Sequence, residues 1–149
     1  MSEFDRKIIT DAITRMLARR EHSFDEICKK LSLKGIERSV VLPILQEFCD
    51  ADIQSDERFA ESRARMLAAK GQGPRKIKLD LQQYGVDEYI AEIALNETDV
   101  DWFESARQVR IKKFGSPAKT EFKDVAKQKQ FLQYRGFYSD HITFAVNDD

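Results

Sequence analysis

The chain has 149 residues, of which 42% are hydrophobic and 34% charged, enough for one packed domain or a short repeat array with a charged exterior. No apolar run approaches the roughly 18 residues needed to cross a bilayer, and the first residues lack the apolar stretch of a secretory signal. A net charge of −1 argues against a general nucleic-acid-binding protein, and two cysteines are too few for a disulfide framework, so a cytoplasmic protein with free thiols is expected.

Three glycines recur at a nearly constant interval, with 50 residues from Gly35 to Gly85 and 51 from Gly85 to Gly136. A leucine lies four residues before each glycine and an apolar residue follows each one. A period near 50 residues is typical of tandem structural repeats, so the chain is expected to be an array of similar units.

Apolar residues follow helical spacing throughout the chain, without the sustained alternation that would indicate strands. The fold is therefore predicted to be all-α, with three helices in each of three units, and the units span residues 1–53, 54–97 and 98–149. The predicted helices cover about 4–20, 37–50, 56–70, 99–114, 121–134 and 139–146, and three others begin after Ser23, at Pro74 and after Asp87.

In the first unit, Ser23 precedes Glu26 by three residues, the spacing of a capping box at a helix N-terminus. Gly35 suits the left-handed conformation that ends a helix, because it has no Cβ to clash. Pro43 is unfavourable inside a helix. It is expected either close to the start of the third helix, with Ser39 as the cap, or at a kink.

In the second unit, Ser55 is predicted to cap the first helix, Gly71 to end it, and Pro74 to occupy the first position of the next helix. Helix N-termini favour anions, whereas Arg75 and Lys76 in this first turn are locally unfavourable for the helix itself. This conflict indicates a contact with a carboxylate or phosphate of a partner. The alternative is an ordinary turn with solvated bases.

In the third unit, Thr98 and Asp101 are predicted to form another capping box, and about eight residues are added around the sequence GSPAKTEF. His22 and His141 are isolated, with no cluster at metal-ligand spacing. No nucleophile motif, phosphate-binding loop or dinucleotide fingerprint is present. Neither an enzyme nor a cofactor or metal site is therefore expected.

Charge is unevenly distributed, since residues 101–135 hold 9 Lys and Arg against 4 Asp and Glu, whereas residues 1–62 hold 10 against 13. A basic segment in a neutral chain favours contact with DNA phosphates or an acidic protein surface. The alternative is an ordinary solvated surface paired with neighbouring acids. The candidate residues are Arg63, Arg65, Lys70, Arg75, Lys76, Lys78, Arg107, Arg110, Lys112, Lys113, Lys119, Lys127, Lys129 and Arg135.

Several longer motifs carry a family resemblance: ARREHSFDEICKKL in the first unit, DERFA followed by GQGPRKI in the second, and FLQYRGF in the third. Over nearly its whole length the chain resembles the bacterial RecX regulatory proteins, which modulate the RecA recombinase. The resemblance implies an elongated, curved array of three-helix repeats without catalytic residues. It also implies a monomer that docks in the groove of the RecA–DNA filament and limits its extension, ATP hydrolysis, strand exchange and co-protease activity.

The partners that follow are the RecA filament and, as a further candidate, single- or double-stranded DNA, with no membrane. We hypothesise that the second and third units supply the cationic contacts. Reversing Arg75, Lys76, Arg110 and Lys113 to Glu is then predicted to weaken inhibition while leaving the helical content unchanged. Two other classes stay open, a sequence-reading DNA-binding protein of the helix-turn-helix kind and a helical adaptor for another cytoplasmic protein.

Overall fold

Nine α-helices follow one another in the part of the chain that the computed structural model describes, residues 2–147 without the side chain of Phe4. The helices are α1 Glu3–Arg19, α2 Phe24–Leu33, α3 Arg38–Asp50, α4 Asp56–Ala69, α5 Pro74–Gln83, α6 Glu88–Glu97, α7 Trp102–Phe114, α8 Phe122–Tyr134 and α9 Ser139–Asn147. All regular structure in this range is helical, so the predicted all-α class is confirmed. Residues 1, 148 and 149, at the ends of the first and third predicted units, lie outside the described residues.

Most of the predicted helix starts are confirmed. The Ser23 hydroxyl accepts a hydrogen bond from the Glu26 N–H at 3.0 Å, and the Glu26 carboxylate accepts one from the Ser23 N–H at 3.3 Å, which completes the capping box. Ser55 and Asp87 accept hydrogen bonds from the first turns of α4 and α6, and Pro74 is the first residue of α5. Each of these signals acts within one helical turn.

Two predicted caps are wrong. Glu37 rather than Ser39 precedes α3, so Pro43 lies inside that helix and not near its start. Asp101 alone caps α7, because its carboxylate accepts from the two N–H groups that lie two and three residues further along. Thr98 instead ends α6, where its hydroxyl donates to a carbonyl oxygen of the last turn at 2.7 Å.

Each consecutive group of three helices encloses an apolar core, and we refer to α1–α3, α4–α6 and α7–α9 as repeats 1, 2 and 3. The most deeply buried members of the three cores include Ile13, Ile27, Leu31 and Ile44 in repeat 1, Phe59, Ile77 and Leu81 in repeat 2, and Ala106, Leu132 and Phe137 in repeat 3. The leucines that precede the periodic glycines are thus core residues. Burying each such side chain contributes about 1.5–3 kcal/mol.

The periodic glycines end the middle helices in the left-handed region, with φ of +86° at Gly35, +76° at Gly85 and +99° at Gly136. The expected reason for a glycine at these positions is therefore confirmed. Of the two cysteines, Cys28 is buried and Cys49 is exposed, and both thiols are free. None of the helices within residues 2–147 combines the length and the apolarity needed to span a bilayer.

The middle helices α2, α5 and α8 meet end to end, with the C-terminus of the later helix against the N-terminus of the earlier one. At the first junction, between repeats 1 and 2, the Ser23 hydroxyl at the start of α2 donates to the carbonyl oxygen of Tyr84 at 2.7 Å. Here the carbonyl end of α5 faces the N–H end of α2, an arrangement that the helix dipoles favour. Helix ends also meet between repeats 2 and 3, where backbone N–H groups at the start of α5 donate to carbonyl oxygens at the end of α8.

Candidate functional site

The second junction, between repeats 2 and 3, is built from backbone groups. The N–H of Gly73 donates to the carbonyl oxygen of Arg135 at 2.7 Å, and the N–H of Arg75 donates to that of Gly136 at 3.0 Å. The Arg75 guanidinium also donates to the carbonyl oxygen of Gln133 at 2.7 Å. Carbonyl oxygens at and just beyond the C-terminus of α8 therefore occupy the position at the start of α5 that the sequence offered to an anion.

Two glycines allow the backbones to approach at this junction. A Cβ at Gly136 would lie 2.4 Å from the Cβ and 2.7 Å from the backbone nitrogen of Lys76. A Cβ at Gly73 would lie 2.5 Å from the carbonyl carbon of Gly136. All three distances are shorter than real Cβ contacts. The glycine that ends α8 thus serves two purposes, a helix stop and a contact surface for the neighbouring repeat.

A cleft of about 510 Å³ opens beside the second junction, between α4 and repeat 3. Its basic residues are Lys70, Lys112, Lys113 and Arg135, and its apolar lining includes Ala68, Val109 and Phe131. We call this site the second-junction cleft. The three lysines are exposed, and neither Lys70 nor Lys112 has a side-chain hydrogen-bond or ion-pair partner among residues 2–147. An anionic group could therefore contact several cations above an apolar floor.

Arg135 holds the cleft in place. Its guanidinium donates to the carbonyl oxygens of Gly71 at 3.2 Å and Lys70 at 2.5 Å, and it lies 5.8 Å from the centroid of the Phe131 ring. The Lys113 ammonium lies 5.5 Å from the same centroid. Cation–π contacts of this kind fix the position of a charge without neutralising it. The aromatic ring thus keeps two cations at the rim of the cleft.

Other predicted contact residues belong to the internal framework of repeat 2. Arg63 forms a two-pronged ion pair with Asp80, at 2.7 and 3.0 Å, and lies 4.7 Å from the centroid of the Tyr84 ring. The hydrogen bonds to Asp80 raise the pKa of Arg63 above its ordinary value, although burial opposes the shift. Arg65 pairs with Glu61 at 2.6 Å. The structure places these arginines among acidic neighbours, as the alternative interpretation expected.

Lys76 and Lys78 are half-buried rather than free in solvent. The Lys76 ammonium lies 4.3 Å from the centroid of the Tyr134 ring, across the second junction. Lys78 pairs with Glu92, and its pKa is raised by that hydrogen bond. Both side chains therefore join α5 to a neighbouring helix.

Arg110 is fully buried, with 0% of the residue exposed. Its guanidinium donates to the carbonyl oxygens of Ala145 at 2.7 Å and Gly115 at 3.1 Å, which ties α7 to α9 and to the following loop. Arg107, one turn earlier, pairs with Glu104 at 2.9 Å. Reversing Arg110 to Glu would bury an unmatched carboxylate, so the charge-reversal variant suggested by the sequence would also disturb the core.

The remaining predicted cations, Lys119, Lys127 and Lys129, are exposed and do not line the second-junction cleft. Sequence reasoning missed the apolar floor of the cleft and the Phe131 ring that lies beside two of its cations. A weak signal was available, since Phe131 and Tyr134 lie three residues apart and share one face of α8. Within the described part of the chain, no three His, Cys, Asp or Glu side chains are grouped to hold a metal ion.

Comparison with known families identifies two of the three repeats. The model for the second three-helix domain of RecX matches residues 55–95, and the model for the third three-helix domain matches residues 99–146. These ranges contain α4, α5, α7 and α8, and all but the last residues of α6 and α9. They also contain both sides of the second junction and the cleft beside it.

Curated relatives match along nearly the whole chain. A regulatory protein RecX from Halorhodospira halophila is 36% identical over 138 residues, which cover 93% of this chain and 86% of that protein. One from Vibrio campbellii is 38% identical over 137 residues, covering 92% of this chain and 88% of that protein.

Among solved structures, the crystal structure of RecX from Lactobacillus salivarius superimposes with a TM-score of 0.80 and covers 98% of this chain and 97% of that one. At 24% identity, that similarity supports the fold alone. The identities of 36% and 38% across most of both chains, together with the two domain matches, show membership of a family and not only a shared fold. The chain therefore belongs to the RecX family of regulatory proteins.

Proposed function

We propose that this protein regulates homologous recombination by binding the RecA–DNA filament. In this proposal it limits filament extension and lowers ATP hydrolysis, strand exchange and co-protease activity. Membership of the RecX family supports this assignment. The proposed contact rests on the second-junction cleft, where exposed lysines that have no acidic partner among residues 2–147 surround an apolar floor.

The mechanism we propose is multivalent binding without catalysis and without a cofactor. A filament presents the same surface at every protomer, and three repeats held in fixed order can contact successive copies of it. Each contact is weak by itself, but a second contact within the same molecule forms at a high effective concentration. The Arg135 side chain, anchored to repeat 2 by two carbonyl oxygens, keeps the cleft at a constant position within the array.

Regulation requires that the protein distinguish between filament states. A ligand shifts an equilibrium only by the difference between its affinities for the two states. A protein that spans adjacent protomers in one filament geometry would bind less well when their spacing changes. We propose that this difference in affinity slows filament growth and ATP hydrolysis. In this proposal the lysines of the second-junction cleft contact acidic side chains or phosphates of the filament.

The direct test is the single-stranded-DNA-dependent ATP hydrolysis of the cognate recombinase, with this protein titrated from amounts far below one per protomer. We expect the wild type to reduce the rate at substoichiometric ratios. Reversing Lys70, Lys112 and Lys113 to Glu should raise the concentration needed for half-inhibition by at least about tenfold, since each lost charge contact contributes on the order of 0.5–1 kcal/mol.

A matched control reverses three exposed lysines of repeat 3 that lie outside the cleft, Lys119, Lys123 and Lys129. This control changes the net charge by the same amount and should retain most of the inhibition. Equal loss in both variants would reject the cleft as the contact site. An unchanged rate of hydrolysis with excess wild-type protein, with filaments still forming, would reject the proposed function and favour the helical adaptor.

A further inference from the structure

A second basic cleft lies in repeat 1, where the C-terminal half of α1 faces α2. Its volume is about 400 Å³, and the predicted set of contact residues includes none of its members. The polar side chains that line it are Arg15, Arg19, Arg20, His22, Lys30 and Lys34. We call it the repeat-1 cleft. No carboxylate of the described residues lines it, although residues 1–62 as a whole hold more acids than bases.

Three of these cations have no partner. Within residues 2–147, Arg15, Arg19 and Lys34 make no side-chain hydrogen bond or ion pair, and all three are exposed. The carboxylate of Glu26, with 6% of its side chain exposed, pairs with cations of the cleft. Glu26 is already shared by Arg20 at 2.6 Å and another cation of the cleft. The cleft therefore carries an excess of positive charge that the protein itself leaves unmatched.

A buried histidine fixes one of the cations. The Nδ1 atom of His22 lies 3.1 Å from the carbonyl oxygen of Arg20, which can only accept, so Nδ1 carries the proton. The Nε2 atom is then the acceptor for the Lys30 ammonium at 3.1 Å. Burial lowers the pKa of His22, which keeps the ring neutral and able to accept. Lys30 is thus held between His22 and the Glu26 carboxylate, 3.5 Å away, at the edge of the cleft.

The geometry of α1 places the two unpaired guanidinium groups of the cleft on one side of the helix. Arg15 and Arg19 are four residues apart on one helix, so they share a face and their backbones lie about 6 Å apart along the axis. Arginine presents a planar fork of N–H donors that matches a phosphate. Two such forks on one face, with Lys34 across the cleft, suit consecutive anionic groups on an extended chain.

We propose that the repeat-1 cleft binds the phosphodiester backbone of a nucleic acid. The charged residues that line the cleft are all cationic, which suits a polymer that carries one negative charge per nucleotide. Interfaces with proteins are depleted in lysine, whereas this lining contains two lysines and, among the described residues, no acid. The proposal goes beyond binding of the recombinase, since it gives the protein a nucleic-acid site of its own at the end of the array away from the second-junction cleft.

The test measures binding of a fluorescent oligothymidylate by fluorescence anisotropy at several salt concentrations, without any recombinase. The variant Arg15→Gln, Arg19→Gln, Lys34→Gln removes the three unpaired cations. Each phosphate contact on a single strand contributes about 0.7 to the slope of log affinity against log salt, so the slope should become shallower by about 2. A duplex of the same length shows whether the site distinguishes single from double strands.

The control variant replaces three cations of repeat 1 that are each paired with an acid, Lys7, Lys29 and Arg38, by Gln. It loses the same charge and should keep the wild-type slope. Circular dichroism checks that both variants retain their helices, and Arg15→Lys, Arg19→Lys should retain the slope as well.

Three outcomes would overturn the proposal. The first is an absence of oligonucleotide binding by the wild type at low salt, and the second is an equal slope in the cleft and control variants. The third uses fluorescent polyglutamate as a second anionic probe, and it is loss of polyglutamate binding in the cleft variant with an unchanged oligonucleotide slope. The last would assign the cleft to an acidic protein instead. Because no recombinase is present, these results do not depend on the proposed function.

Discussion

Substitutions at the periodic glycines can distinguish two roles of these residues, which are ending a helix and allowing neighbouring repeats to approach closely. Gly35 and Gly136 hold equivalent positions and similar conformations, with φ of +86° and +99°. They differ in their surroundings, because a Cβ at Gly35 would meet nothing within 4 Å, whereas one at Gly136 would overlap the backbone of Lys76. Alanine at each position therefore adds the same backbone strain, and only one of the two substitutions also forces the repeats apart.

The expected loss of unfolding free energy in each variant follows from two contributions, backbone strain and overpacking. A left-handed conformation costs an alanine about 1–2 kcal/mol, so Gly35→Ala should destabilise the protein by that amount or slightly less. Gly136→Ala adds overpacking, which costs about 1–3 kcal/mol where the neighbour is backbone and cannot turn away. Gly73→Ala isolates the second term, because Gly73 has a φ of −87° that any residue adopts. The destabilisation caused by Gly73→Ala should therefore equal the difference between that of Gly136→Ala and that of Gly35→Ala.

The assay is urea unfolding followed by circular dichroism and by the fluorescence of Trp102. Trp102 is the only tryptophan and packs against the cores of both repeat 2 and repeat 3, so its emission reports on the second junction. We expect Gly136→Ala and Gly73→Ala to alter the emission of the folded state, and Gly35→Ala to leave it unchanged. Equal destabilisation by Gly35→Ala and Gly136→Ala would refute the close approach of the repeats.

Three further predictions concern buried polar groups. Arg110→Gln should destabilise the protein by about 1–3 kcal/mol in urea unfolding, because buried carbonyl oxygens lose their donors, whereas the exposed Lys112→Gln should change stability by less than about 0.5 kcal/mol. Ser23→Ala should lower the midpoint of thermal unfolding more than Ser55→Ala does. Both substitutions remove a helix cap worth about 1 kcal/mol, but only the Ser23 hydroxyl also donates to the adjoining repeat. Burial alone would raise the pKa of Glu26, but an arginine hydrogen bond and nearby cations hold it below its ordinary 4.5. The unfolded state therefore binds more protons, so the urea midpoint should fall as the pH drops below about 4.5, and Glu26→Gln should flatten this dependence.

The sequence by itself determined the repeat period, the helical class and most helix ends. These features depend on residues within one or two turns of each other. The capping box at Ser23, the proline at the start of α5 and the left-handed glycine at residue 35 each act through their own backbone neighbours. Local spacing misplaced the caps at Ser39 and Thr98: no side chain caps α3, and only the Asp101 carboxylate reaches the free N–H groups of α7.

Only the tertiary structure decided which charges are available to a partner. Arg63 and Arg110 are withdrawn from the surface by residues distant in the sequence, since Asp80 is 17 and Ala145 is 35 positions away. Conversely, Arg15 and Arg19 belong to an acid-rich stretch, yet no carboxylate of the described residues lines the cleft between α1 and α2, and neither guanidinium forms an ion pair within residues 2–147. Whether a charge is free depends on distances between helices, and a count of charges along the chain carries no information about those distances.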